Sequence, residues 1–257
     1  MASVKNDLRV DERFQPLLRQ IGLDAETIFT DPRITAWRKL KDRENCTLDD
    51  QGVRLHIKRF GQIRWGSTPA QREAHGIMLL SAAGIPTVEL VAWGSVRNGR
   101  SFIITRDLAG YRAADKLVEA GLDFARIAAA IADLTARLHA AGLHHRDLYL
   151  CHFFVNPDRP EQDVRLIDAA RVAKIPSWPW RKRWIVKDLA QFWYSLSQLG
   201  LPAETQGNWL QRYALRRQGD PQSLRRAVER KAAWIGHHDA RLRAKYPLRN
   251  ISIPNRH

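Results

Sequence analysis

Between Leu143 and Val172 two aspartates each bound a mainly apolar run, Asp147 ahead of one and Asp168 at the end of another. The first reads Leu143-His144-His145-Arg146-Asp147-Leu148-Tyr149-Leu150-Cys151-His152-Phe153-Phe154-Val155. The second reads Val164-Arg165-Leu166-Ile167-Asp168-Ala169-Ala170-Arg171-Val172. Asn156-Pro157-Asp158-Arg159-Pro160 is a turn between them. Strand-length runs joined by a turn predict a small hairpin, with Asp147 and Asp168, 21 residues apart, at its ends. A helix must feed it: Ile127, Ile131, Leu134 and Leu138 recur at spacings of 4, 3 and 4 within Asp123 to Ala141, and Gly142 follows as a stop.

Upstream the periodicity is that of strands. Trp37 to Phe60 reads as successive strands: a charged turn at Lys41 to Asn45, then Cys46-Thr47-Leu48, then a turn at Asp49 to Gly52 into Val53 to Lys58. In that last run Val53, Leu55 and Ile57 alternate with Arg54, His56 and Lys58, so Lys58 leaves the strand on the face opposite the apolar row. A helix follows, with Thr68 as N-cap, Pro69 at its first position, Gln71 at the capping-box position, and Gly84 and Pro86 as its stop. Glu73 lies in its first turns. Val88 to Trp93 and Ser101 to Thr105 flank Asn98-Gly99, the strongest short hairpin signal. Later helices are predicted over Asp188 to Leu199, Ala203 to Gln218 and Gln222 to Lys245. Strands first and helices after give a two-lobe α+β layout, read as an extension over residues 1–35, a β-rich lobe with one helix over 36–105 and a mainly helical lobe over 106–257.

At 257 residues the chain can bury a substantial core without staples. Cys46 and Cys151 lie far apart with no CxxC pair, which favours a reducing compartment. No apolar run at the N-terminus or later predicts export or a membrane span. Forty-two Lys and Arg against 27 Asp and Glu, a formal charge of +15, favour polyanionic partners: nucleic acid, anionic lipid or an acidic protein. No zinc finger, basic zipper or RNA-recognition pattern appears, so nucleic acid is not expected. His237-His238 lacks partners at metal-ligand spacing.

Phosphoryl transfer asks a protein for cations around phosphates, metal ligands, and a carboxylate near the attacking hydroxyl. Protein kinases carry a strand lysine, a helix glutamate, His-Arg-Asp and a later metal aspartate, in that order. Lys58, Glu73, His145-Arg146-Asp147 and Asp168-Ala169-Ala170 follow the same order, each on the expected kind of element. Asp147 is the candidate catalytic carboxylate. Asp168 is a candidate Mg²⁺ ligand, since hard cations take carboxylate oxygen. Lys58, held by Glu73, is a candidate for the α and β phosphates of ATP. Singly, each of these could be a surface charge or a strand-end aspartate.

Beyond this layout, Ser101-Phe102-Ile103-Ile104-Thr105-Arg106-Asp107-Leu108, Leu138-His139-Ala140-Ala141-Gly142-Leu143 running into His145-Arg146-Asp147-Leu148-Tyr149-Leu150-Cys151-His152-Phe153, and Ile167-Asp168 followed by a basic run into Lys187-Asp188-Leu189 resemble the lipopolysaccharide kinase (Kdo/WaaP) family. The likeness covers roughly residues 35 to 245. It implies a protein-kinase-like fold and an ATP- and Mg²⁺-dependent enzyme phosphorylating a sugar hydroxyl, with heptose the expected sugar, of the lipopolysaccharide core or its lipid-linked precursor. It also implies a cytoplasmic enzyme, peripheral at the inner face of the bacterial inner membrane, with a small acidic protein as a possible partner.

On that likeness Thr105 and Asp107 fall where the strand enters the linker at the nucleotide. His145 and Arg146 are scaffold, and Asp188 ties their loop down. His152 stands where protein kinases have a second metal-binding Asn. Imidazole is softer than Mg²⁺ prefers, so His152 is open to phosphate binding, Mn²⁺, a single-metal site or a structural role. Tyr149 replaces a lysine near the transferred phosphate, and Arg171 or Lys174 could supply that charge. No glycine-rich loop precedes Lys58, leaving Lys41, Arg43 or Asn45 to cover phosphates or to be an ordinary turn. Lys174 to Trp184, including Trp178, Trp180 and Arg181, could bind the anionic acceptor or be a solvated basic loop. The rival readings are a kinase for Kdo, another glycolipid, a small molecule or protein tyrosine, and a pseudokinase scaffold.

Overall fold

The structure, a computed structural model, describes residues 6–63, 66–177 and 180–246. The chain forms two compact units: one of residues 1–82, 87–109 and 168–171, the other of 83–86, 110–167 and 172–257. The first therefore runs four residues past the expected end of the β-rich lobe and takes in the short segment beginning at Asp168.

The first unit is built on six strands, β1 (Asp7–Val10), β2 (Thr35–Lys39), β3 (Arg43–Asp50), β4 (Val53–Phe60), β5 (Leu90–Ser95) and β6 (Ser101–Arg106), with helices α1 (Gln15–Ile21) and α2 (Pro69–Ala82). The sheet order is β1-β5-β6-β4-β3-β2, every pair antiparallel. One face carries Leu48, Leu55, Ile57, Phe102 and Ile104, which pack with Phe14, Leu18, Ile21, Ile28 and Ile34. Residues 6–35, read from sequence as an extension, thus supply an edge strand, a second helix and much of the core of this unit. Their short apolar clusters lack a period long enough to announce them.

The other face belongs to α2, which packs on β5 and β6 and buries Ala70, Ala74, Ile77 and Leu80. Lys58 is the cross-strand partner of Ile103, and directly opposed residues share a face. Lys58 thus stands on the helix-covered side, away from Leu55 and Ile57. The N-cap holds as read: Gln71 N–H donates to Thr68 Oγ1 at 3.1 Å. The expected turn at Lys41 to Asn45 shrinks to Lys41 and Asp42, closed by Leu40 N–H to Arg43 O at 2.8 Å. Arg43 to Asn45 are strand because their charges find cross-strand partners: Glu44 meets Lys39 at 3.5 Å and Arg59 at 3.6 Å. Asn45 is the cross-strand partner of Lys58 and shares its strand face.

Gly76 on α2 lies against the segment at 169–171 of the same unit. A Cβ there would sit 2.0 Å from the Ala169 carbonyl oxygen. Gly76→Ala is expected to destabilise the protein by about 2 kcal/mol, the overpacking range, and to displace the residue beside Asp168. A melting temperature equal to wild type would show the contact to be slack.

The second unit comprises β7 (Arg112–Ala113), α3 (Ala114–Glu119), α4 (Ala125–Ala140), β8 (Leu143–His144), β9 (Phe153–Val155), β10 (Val164–Leu166), β11 (Ala173–Lys174), α5 (Arg181–Gln198), α6 (Ala203–Arg216) and α7 (Pro221–Lys245). Ile127, Ile131, Leu134 and Leu138 are all buried, as their spacing requires. Phe192 of α5 stacks on Trp209 of α6 with centroids 4.2 Å apart, and Phe153 meets Phe192 edge-on at 5.4 Å. The predicted hairpin is present as β9 and β10, with Leu166 opposite Phe153. Helix α5 begins at Arg181 rather than Asp188, so the basic run after Trp180 is two helical turns and not a loop; no side-chain cap marks its start. Among the described residues no helix is long and apolar enough to cross a membrane.

Candidate active site

In the first unit, three residues distant in sequence converge. Lys58 Nζ donates to Glu73 Oε1 at 2.5 Å and lies 3.4 Å from Asp168 Oδ1. Burial alone would depress the Lys58 ammonium, but the carboxylates of Asp168 and Glu73 outweigh it and raise its pKa. Burial pushes Glu73 up, and the Lys58 charge offsets only part of that. Lys58 thus keeps its charge, and the cluster holds one cation between two carboxyl groups. Asp168 has a φ of +59°, a left-handed conformation uncommon outside glycine. Such conformations are worth about 1–3 kcal/mol of strain and persist where the surroundings over-determine them.

Two further expected positions lie in this unit. Thr105 is the cross-strand partner of His56, and His56 Nε2 hydrogen-bonds Asp107 Oδ1. His56, two residues before Lys58, shares its strand face. Sequence reasoning counted it among the polar positions of β4 and gave it no role, although the period-2 spacing from Lys58 was the available signal.

In the second unit the loop after β8 is anchored by Asp188 on α5. Asp188 Oδ2 accepts from the His145 amide at 2.6 Å and from His139 Nε2 at 3.3 Å, and Oδ1 accepts from the Arg146 amide at 2.8 Å. Burial works to raise this carboxyl, yet the hydrogen bond and charge of His139, with the amide of His145, hold it below the usual range. Gln191 donates to the Arg146 carbonyl at 3.2 Å and accepts from the Leu148 amide at 3.3 Å. Arg146 takes a left-handed φ of +68° within these contacts. Its guanidinium lies 5.0 Å from the ring centre of Trp184.

Asp147 follows, half-buried. His152 Nδ1 donates to the Asp147 carbonyl at 2.7 Å, which puts the lone pair of a neutral ring on Nε2. His145 Nε2 donates to the Ile167 carbonyl at 3.0 Å, and the Ile167 amide donates to the His152 carbonyl at 2.9 Å. The residue preceding Asp168 is therefore tied from both sides to the loop that carries Asp147. Burial and then the Asp147 charge raise the Tyr149 phenol, against a hydrogen bond from Gln191, so it stays protonated. His139 and Gln191 had no assigned role in sequence reasoning, although His139 stood in the string that carried the family likeness.

Arg171, Lys174, Trp180 and Arg181 are exposed, Trp180 by 55%. Trp178 lies outside the described residues.

Next to the Asp147 loop, His144 is buried and its pKa is lowered to about 4, chiefly by burial. The unfolded imidazole, near 6.5, then takes up a proton that the folded one refuses. Folding stability is intact above pH 6.5 and falls as pH drops towards 4, by up to about 3 kcal/mol from this group. Thermal melts between pH 7 and 4.5 should show that slope, flattened in His144→Phe; an unchanged slope would assign it elsewhere.

A lysine salt-bridged to a helix glutamate beside an aspartate in one unit, and a His-Arg-Asp loop tied to a buried helix aspartate in the other, define a phosphotransferase of protein-kinase-like fold. The sequence matches the model of the lipopolysaccharide kinase (Kdo/WaaP) family over residues 50–213. The chain belongs to that family. It is 29% identical over 204 residues to lipopolysaccharide core heptose(I) kinase WaaP of Pseudomonas aeruginosa, covering 69% of this chain and 75% of that protein. It is 31% identical over 163 residues to the protein of the same name from Escherichia coli K12, covering 56% and 60%. A solved structure of WaaP in complex with acyl carrier protein superposes with a TM-score of 0.66 at 27% identity, covering 88% of this chain and 98% of that one.

Proposed function

We propose that this protein transfers the γ-phosphoryl group of ATP to a heptose hydroxyl of the lipopolysaccharide inner core. The observation that carries the reading is the cluster of Lys58, Glu73 and Asp168, at 2.5 and 3.4 Å. Its two carboxyl groups against one ammonium suit a hard divalent cation, and Asp168 is a quarter exposed. Asp168 would hold Mg²⁺. The bound ion supplies charge neutralisation at the β and γ phosphates. Lys58, kept charged by its neighbours, meets the α and β phosphates. Asp147 orients the sugar hydroxyl; as its oxygen bonds to the γ phosphorus and the bond to the β–γ bridging oxygen breaks, the hydroxyl proton passes to Asp147 and ADP leaves.

The acceptor rests on the relatives' names, heptose(I) kinases in two bacteria. Such an acceptor would place the enzyme at the inner face of the inner membrane. An acyl carrier protein, partner of the related solved structure, suits a chain of charge +15. The decisive experiment offers labelled ATP with Mg²⁺ to unphosphorylated core lipopolysaccharide, a Kdo-only precursor, and tyrosine peptides. Label should enter the heptose-containing acceptor, and Lys58→Met should abolish it. Label in peptide or Kdo acceptor alone would overturn the heptose assignment, and a lack of ATP binding would overturn the kinase reading itself.

A further inference from the structure

On α7, Arg230, Trp234, His238, Arg241 and Lys245 follow one another at spacings of 4, 4, 3 and 4, so they share one face of the helix. All five are exposed, Trp234 by 57%. Lys231 sits at the edge of the stripe with Nζ 3.5 Å from the Trp234 ring centre. Trp234 and His238 stack with planes 3° apart and centroids 5.5 Å apart. The two carboxylates of the helix are already engaged: Glu229 accepts from Arg225 at 2.7 Å, and Asp239 from Tyr194 at 2.7 Å and Arg243 at 2.8 Å. The stripe presents positive charge and indole, with no acid of its own helix to neutralise it.

Helix α5 extends this surface. It packs along α7, and the contacts Tyr194 with Asp239 and Gln198 with Arg243 both span 45 residues, so the two helices run parallel. At that offset the first turns of α5 lie level with the turn before Lys231. They carry exposed Arg181, Lys182 and Arg183, with the Arg183 guanidinium 5.7 Å from the ring centre of exposed Trp180. Lys231 has a lowered pKa, first from burial of its stem and then from the charge of Arg183, as two cations at one place require.

Large exposed indoles among cations are unfavourable in plain water and suited to a headgroup layer, where the ring meets the acyl boundary and the cations meet phosphate. From Arg230 to Lys245 the stripe runs about 22 Å at 1.5 Å per residue, a straight row of one charge sign. Such a row fits a plane of repeated anions better than the mixed surface of a folded protein. We propose that this face of α7, with the first turns of α5, docks on an anionic bilayer surface, phospholipid phosphates being the recognised groups. It lies outside the residues assigned to phosphoryl transfer, Lys58 on β4, Glu73 on α2, Asp168 and Asp147, and does not depend on that reaction.

The test uses the whole protein with vesicles of phosphatidylethanolamine and phosphatidylglycerol, against vesicles of phosphatidylcholine alone. Wild type should sediment with the anionic vesicles, shift its tryptophan emission to the blue and release at high salt. Arg230→Glu with Lys231→Glu should weaken binding more than about tenfold, from roughly 1 kcal/mol per basic residue near an anionic surface. Trp234→Ser should weaken it several-fold and reduce the emission shift. Melting temperatures should match wild type; if charge reversal lowers them, Arg230→Gln with Lys231→Gln replaces it. Wild type that ignores anionic vesicles overturns the proposal, as do variants that bind them as wild type does. So does a result in which these residues are needed only to capture an acidic carrier protein.

Discussion

Asp147→Asn is expected to lower kcat for phosphoryl transfer about 10³-fold, within the range for a positioned acid–base group, while leaving the melting temperature unchanged. Asparagine keeps the shape and the backbone carbonyl that accepts from His152 Nδ1 at 2.7 Å. What it removes is the oxygen proposed to take the hydroxyl proton. Because Asp147 is half-buried and bound into the loop through its backbone rather than by burial of its charge, the fold has little to lose. KM for ATP should stay near wild type, since the nucleotide is assigned to Lys58 and Asp168. A variant with kcat within tenfold of wild type would remove Asp147 from the chemistry and leave it an orienting residue at most.

Asp188→Ala should be the most destabilising single change, by about 3–5 kcal/mol, the range for removing one partner of a buried charged network. It strands the amides of His145 and Arg146 and the Nε2 of His139, all of which donate to this one carboxylate. It also releases Arg146 from the contacts that hold its left-handed φ of +68°. For a chain of this size that corresponds to a melting temperature lower by about 10 °C. Activity lost with stability, and partly recovered at low temperature, would mark Asp188 as a positioning residue. His139→Gln should give a smaller loss, because the amides keep their acceptor. If Asp188→Ala melts like wild type, water or a neighbour replaces the carboxylate and the anchor is elsewhere.

Much of the fold was legible where one physical signal dominated. The Thr68 cap, the Asn98-Gly99 hairpin and the buried faces at Ile127 to Leu138 follow from local rules, because helix and hairpin geometry are set within a few residues. The first 35 residues were not legible. Phe14, Leu18, Ile21 and Ile28 are buried by a sheet face built from strands far along the chain, and no local period encodes that. The start of α5 was missed for a local reason: Arg181 to Trp184 is basic and aromatic, and no cap residue marks the first turn.

At the site, residue order alone placed Lys58, Glu73 and Asp168 on their elements, and the structure brings these three together. His56 against Asp107, and His139 beneath Asp188, were invisible as pairs because each joins residues about 50 apart whose types are ordinary. Proximity between such positions is a product of the fold, not of spacing.

The segment that begins at Asp168 completes the first unit from 110 residues downstream of Lys58. During synthesis at about 5–20 residues per second, Lys58 and Glu73 can pair roughly 5–20 s before Asp168 leaves the ribosome. The nascent β-rich unit therefore waits, its charge cluster one carboxylate short, until the chain that builds the His-Arg-Asp loop has emerged. Phosphotransfer competence arises late in biogenesis, and a polypeptide stalled before residue 168 can fold much of that sheet without becoming a kinase.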